Sequence, residues 1–184
     1  MSETVEETQD VVAVASAHHY IELDRKLKNY IEKKSKVDLI TFVRKTAPSL
    51  VTDFQMGRHI ELLCDRLQKV ADGEIKRLMV FLPPRSSKSL ITSKIFPAWY
   101  IGQFPNHEIM SVSHSDQLAS DFGRSVRDIV NTKDFQNTFR GVQLASDVKA
   151  AGKWKTNHKG SYYAAGVRSQ IAGRGAHLAL LDDV

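Results

Sequence analysis

Two short segments of this 184-residue sequence carry residue types suited to phosphate chemistry. The first is Leu82-Pro-Pro-Arg-Ser-Ser-Lys-Ser89. A lysine and a hydroxyl at the start of a helix suit an anion, because the free N–H groups there point outward and the helix dipole adds attraction. In the phosphate-binding loop G-x-x-x-x-G-K-[ST], the lysine reaches the β- and γ-phosphates and the hydroxyl ligates Mg²⁺. Lys88 and Ser89 match the end of that pattern, whereas Leu82 and Ser87 stand where its two glycines belong. Ser87 is the larger departure, because glycine enters the left-handed region freely and serine does so at a cost of about 1–2 kcal/mol. Taken alone, Lys-Ser at a helix start also fits a capped surface turn.

The second segment is Leu178-Ala-Leu-Leu-Asp-Asp183, an apolar strand that delivers two carboxylates at its C-terminal end. In open α/β sheets ligands bind at that edge, and NTPases hold Mg²⁺ with an aspartate so placed. Asp182 suits the metal and Asp183 the attacking water. Adjacent side chains of a strand point opposite ways, so the two should divide these roles. The alternative is two acids that open a loop.

The elements around these segments follow from periodicity. Apolar residues recur at helical spacing from Tyr20 to Ile31, and a short helix is predicted from Asp38 to Lys45, stopped near Pro48. Arg58 to Ala71 reads as a helix with Ile60, Leu63, Cys64, Leu67 and Val70 on one stripe and Gly73 as its stop. Arg77 to Leu82 reads as a buried strand leading into the loop, and Lys88 to Ile101 as a helix bent by Pro97. A strand over Glu108 to Ser113 and a helix over Gln117 to Asn131 come next. Extended pieces are predicted near Trp154 and over Ser161 to Ala165, with a last strand from His177 to Leu181. Alternating strands and helices predict an α/β fold with a largely parallel sheet.

Composition sets the outer limits. Hydrophobic residues make up 42% and charged residues 26%, as in an ordinary globular chain rather than a disordered one. No apolar run approaches the roughly 20 residues of a membrane span, and the acidic start lacks the features of a secretory signal. One cysteine, Cys64, excludes an internal disulfide, and its place on an apolar stripe suits the core rather than a catalytic thiol. The seven histidines form no zinc spacing with it. No Gly-x-Ser-x-Gly elbow surrounds Ser86, Ser87 or Ser89. The net charge is +5; the first ten residues hold four acids and no base, which leaves +9 for the remainder. Such a surplus suits a nucleic-acid partner or a solvated basic surface, and the Arg25 to Lys36 stretch has the same two readings.

The ordered motifs resemble the ATPase part of tailed-phage terminase large subunits. The resemblance rests on Pro83-Pro-Arg-Ser-Ser-Lys-Ser89, Phe96-Pro-Ala-Trp-Tyr100 and the block from Ser113 to Asp128. It continues through Trp154-x-Thr156, Gly160 to Val167, Ile171-x-Gly-Arg-Gly-Ala176 and the closing Leu-Leu-Asp-Asp. It covers about residues 35–184 in one order. It implies a P-loop NTPase of the additional-strand class, with a mainly parallel central sheet, incomplete at its C-terminus, behind a helical N-terminal segment. Residues 1–18 would be a disordered acidic arm, 19–50 the helical segment, and 51–184 a truncated ATPase domain without the nuclease domain.

The activity implied is hydrolysis of ATP to drive double-stranded viral DNA into a capsid. Partners would be viral DNA, a portal protein, a small terminase subunit and further copies in a ring, all in the host cytoplasm. Cofactors would be ATP and Mg²⁺. By this resemblance Pro84, Arg85, Ser86, Ser87, Lys88 and Ser89 form the Walker A loop. Asp182 is the Walker B metal ligand beside Ser89, and Asp183 takes the position of the catalytic acid. Arg85 matches the basic residue inside the loop. Phe54, Gln55 and His59 fall where related motors contact adenine, or are ordinary packing at a helix start. Arg174, between Gly173 and Gly175, is placed to touch phosphate or DNA, or is a solvated arginine. Arg168-Ser169 replaces a Gly-Gly usual before that loop. The coupling-motif strand would lie beyond Val184, so the chain is expected to be a fragment with open sheet edges and poor stability. The rival readings are another P-loop translocase or helicase, and a non-catalytic DNA-binding or assembly module.

Overall fold

The computed structural model describes Tyr20, Glu22, Leu23 and residues 37–184, apart from positions 170 and 172. The chain divides into two compact units, Met1–Val37 and Asp38–Val184. The predicted arm and most of the first predicted helix lie outside the described residues. The second unit is an α/β domain with a mixed five-stranded sheet.

Its first helix, α1 (Leu39–Leu50), starts where Asp38 accepts the Thr41 N–H at 2.7 Å, a side-chain N-cap. The predicted stop near Pro48 is not observed, because α1 runs through that residue. The N–H that Pro48 lacks would have met the carbonyl of Arg44, and both residues lie on the exposed side, where water can serve the freed group. Helix α2 (Arg58–Ala71) has the predicted bounds, and Gly73 turns the chain at φ +81°. Cys64 is buried on its inner face, and burial pushes the thiol up to about 11.

The segment 77–82 departs from the prediction. It forms no strand and pairs with none among the described residues, and Met79 and Phe81 are 76% and 85% exposed. Its exposure still alternates, with Leu78, Val80 and Leu82 half-buried. The residues have the pattern of a strand, but no neighbour supplies the ladder. The predicted helix after the loop is also modified. A π-helical segment, Leu90–Ile95, leads into α3 (Phe96–Gln103), and Phe96 N–H bonds to Ile91 five residues back. The wider turn comes just before Pro97, which has no N–H to give and whose ring would crowd the carbonyl of Ser93 in a regular α-helix.

Strand β1 (Glu108–Ser113) leads into α4 (Asp116–Val130), capped by Ser115, and α5 (Lys133–Thr138), capped by Thr132. Strands β2 (Leu144–Ala150), β3 (Lys153–Thr156), β4 (Ser161–Gly166) and β5 (Leu178–Asp182) complete the sheet in the order β2-β3-β4-β1-β5. Only β1–β4 and β1–β5 are parallel, so the sheet is mixed rather than largely parallel. The short turns at Ala151-Gly152 and Asn157–Gly160 permit only antiparallel pairing of β2, β3 and β4.

Helix α4 covers one sheet face. Gly123 allows the approach, since a Cβ there would sit 2.5 Å from the Ala151 carbonyl oxygen. Below it the rings of Trp154 and Tyr162 stack at 5.0 Å, and Trp154 Nε1 donates to the Gly123 carbonyl at 3.1 Å. At the N-terminal edge of β1 and β5, His107 and His177 stack with centroids 4.2 Å apart. His177 Nδ1 accepts the Glu108 N–H at 3.1 Å.

Desolvation first, and the neighbouring His177 second, hold His107 below the ordinary histidine range. The unfolded chain therefore takes up this proton first. Stability from this site is complete above about pH 6.5 and is lost as the pH falls through that value. The melting temperature should drop as the pH falls from about 6.5 toward the lower folded value, and His107→Phe should flatten the drop. An unchanged slope in that variant would assign the acid sensitivity elsewhere.

Candidate nucleotide site

The two chemistry-bearing segments meet at the C-terminal edge of the sheet. Strand β5 runs parallel to β1 and places Asp182 opposite Ser113. Asp182 is buried, while Asp183 leaves the strand at φ +52° and is exposed. Lys88 Nζ reaches both carboxylates, at 2.8 Å from Asp183 Oδ1 and 3.3 Å from Asp182 Oδ1. The hydrogen bond to Asp183 is the main cause that raises the Lys88 ammonium, and Lys88 in turn holds Asp183 below the usual carboxylate range. Ninety-four residues separate Lys88 from Asp182, so only the fold unites them.

The second oxygen of Asp182 is fixed separately. Ser93, buried in the π segment, donates its Oγ–H to Asp182 Oδ2 at 2.8 Å. Sequence reasoning missed Ser93. The available signal was a hydroxyl four residues beyond Ser89, hence on the same face of a helical segment. Ser93 leaves Oδ1 of Asp182 directed toward the Lys88 side of the site.

The loop backbone is unusual at two positions. Arg85 and Ser87 have φ of 61° and 63°, with Ser86 between them outside the positive-φ region. Alternation of this kind turns successive N–H groups toward one point and makes an anion-binding concavity. Ser86 Oγ also donates to the Pro83 carbonyl at 2.6 Å, which tightens the turn. Ser87 thus holds the conformation for which the loop pattern uses glycine. Ser87→Gly should relieve about 1 kcal/mol and raise the melting temperature by roughly 2–4 °C. A fall would show that the serine side chain contributes more than its strain costs.

The other predicted site residues are dispersed. Pro84 and Arg85 are exposed, and Arg85 makes no ion pair among the described residues. Phe54 and Gln55 lie on the segment entering α2, and His59 in its first turn. No hydrogen bond joins these three to residues 83–89 among the described residues. The Arg174 guanidinium lies 4.0 Å over the ring of Tyr163, away from Lys88 and its two carboxylates.

Asp182 and Ser89 offer the carboxylate and hydroxyl oxygens that Mg²⁺ takes when water and substrate phosphates complete its shell. The immobilised Asp182 carboxylate fits this demand. Among the described residues no three His, Cys, Asp or Glu groups converge, so no all-protein metal cage is built there. A cavity of about 430 Å³ lies elsewhere, at the far end of α4, lined by Arg127, Asp128, Asn131, Gln136, Gln143 and Leu144. No helix of the described residues is long and apolar enough to cross a membrane.

No protein-family model, curated protein or solved structure matches this chain. The functional reading therefore rests on the residues and their geometry.

Proposed function

We propose that this chain is the ATPase part of a tailed-phage terminase large subunit and hydrolyses MgATP to move double-stranded viral DNA. The observation that carries the reading is the meeting of Lys88 with Asp182 and Asp183 beside a loop of alternating backbone sign. In this account a P-loop NTPase site lies at the end of β5. The loop amides and Lys88 neutralise phosphate charge as the γ-phosphoryl group leaves. Ser89 and Asp182 would hold Mg²⁺, which would draw charge from the phosphate oxygens, and Ser93 holds Oδ2 of Asp182 so that Oδ1 is left for the metal. Asp183 orients the attacking water, and Arg85 reaches the γ-phosphate from the loop. Phe54, Gln55 and His59 would meet adenine. The portal, the small terminase subunit, a ring of copies and a host-cytoplasmic setting belong to the same proposal.

One observation favours a second reading. The segment 77–82, which leads into the loop, is not paired into the sheet, and β5 has β1 as its one strand neighbour. A loop anchored on one side suits a chain that binds nucleotide without turning it over. Phosphate release from MgATP, with and without duplex DNA, separates the two. Turnover that rises with duplex and disappears in Asp183→Asn supports the motor. MgATP binding without release supports the binding module.

A further inference from the structure

Between Asp147 and Asp182 the chain has no acidic residue, yet it carries Lys149, Lys153, Lys155, Lys159, Arg168 and Arg174. The fold gathers part of this charge on one surface. Burial along β3 alternates, so Trp154 and Thr156 face the core while Lys153 and Lys155 face outward. Lys153 lies opposite Tyr163 in the ladder with β4, which places both on the sheet face away from Trp154. Arg174 lies over that same Tyr163 ring.

Among the described residues the charges on this face have no acidic partner. Some bases elsewhere in the domain meet acids: Arg44 with Glu61, Lys45 with Asp134, Lys69 with Asp65, Lys88 with Asp182 and Asp183. No ion pair involves Lys153, Lys155, Lys159, Arg168 or Arg174 among the described residues. Tyr163 holds Arg174 through its ring, which leaves the guanidinium N–H donors for an outside acceptor.

We infer that the β3–β4 face, with Lys153, Lys155 and Arg174, binds the phosphate backbone of duplex nucleic acid. This extends the proposed function by naming the surface that meets the DNA, and it rests on that reading only for the choice of DNA as the polyanion. Lys153 and Lys155 are two residues apart on a strand, about 7 Å. Each strand of a duplex carries a charge for about every 3.4 Å of axis, so a rigid row of this spacing meets phosphates in sequence. Single-strand binding relies on aromatic faces open to stacked bases, and Arg174 already covers the face of Tyr163. The contacts are to backbone, so affinity depends on salt and little on sequence.

The test uses the full chain and a fluorescein-labelled duplex, titrated by anisotropy over a series of salt concentrations. The double variant Lys153→Ala/Lys155→Ala should bind roughly tenfold more weakly at low salt, and its log K against log salt slope should shrink by about 1.8. Arg174→Ala should shrink it by about 0.9, and Lys69→Ala, whose base already has an acid partner, should leave it unchanged. An unchanged slope in the double variant overturns the inference. So does equal or tighter binding of an unpaired oligonucleotide through the same lysines. Capture of phosphatidylserine-containing vesicles or polyglutamate in place of duplex overturns it as well. MgATP binding is measured on the same samples. Its absence in the wild type would count against the ATPase reading and leave the duplex result standing.

Discussion

Lys88→Ala is expected to weaken MgATP binding by about a hundredfold. A hydrogen bond to a charged group is worth about 1.5–3 kcal/mol, and every 1.4 kcal/mol is tenfold in affinity. The upper end applies because the ammonium sits between two carboxylates that a magnesium ion would otherwise neutralise. The same change removes the cation facing buried Asp182 and leaves its carboxylate the Ser93 hydroxyl at 2.8 Å. Lower thermal stability should therefore accompany the lost affinity. Asp183→Asn should behave differently, with binding retained and turnover lost, because that carboxylate is exposed and does not support the fold. If Lys88→Ala bound MgATP as tightly as the wild type, the lysine would be a structural partner of the two aspartates and nothing more.

Trp154→Ala should produce a large loss of stability, about 3–5 kcal/mol. The side chain is fully buried, stacks in parallel on Tyr162, and satisfies the Gly123 carbonyl. Its removal opens a cavity between β3 and α4 and takes away the side-chain donor to the Gly123 carbonyl. Gly123 cannot be replaced by a larger residue to fill the space, because a Cβ would strike the Ala151 carbonyl oxygen. At roughly 2–4 °C per kcal/mol, a fall in melting temperature of about 6–20 °C is expected. Trp154→Phe keeps a stacked ring but loses the Nε1 donor and should cost about 1–2 kcal/mol. Equal losses in the two variants would mean that the hydrogen bond, not the packing, holds β3 against α4.

The elements that could be read from the sequence are those whose pattern is set by their own burial. Helix α2 carries an unbroken apolar stripe, β5 is a short apolar run at a parallel ladder with β1, and α4 has both stripe and cap. Residues 77–82 show the limit of that reasoning. Their apolar character fits a strand, but a strand also needs a ladder partner, and no local pattern reports whether one is present. Helix α5 and strand β2 passed unnoticed because they are short or polar on one side, so neither carries a full period of apolar residues. Within the candidate site, Lys88, Asp182 and Asp183 were legible because each sits at the end of an element with a recognisable pattern. The left-handed backbone at Ser87 was legible as well, from the glycine that the loop pattern prefers there. Ser93 was not, since its role depends on the π-helical turn and on a strand 89 residues away.

Calorimetric titration of MgATP into the 184-residue chain, repeated with the magnesium chelated, bears most directly on the nucleotide site. The expected result is saturable one-to-one binding that weakens on chelation and weakens about a hundredfold in Lys88→Ala. Absence of binding at millimolar MgATP, or the same binding curve in wild type, chelated sample and Lys88→Ala, would contradict it.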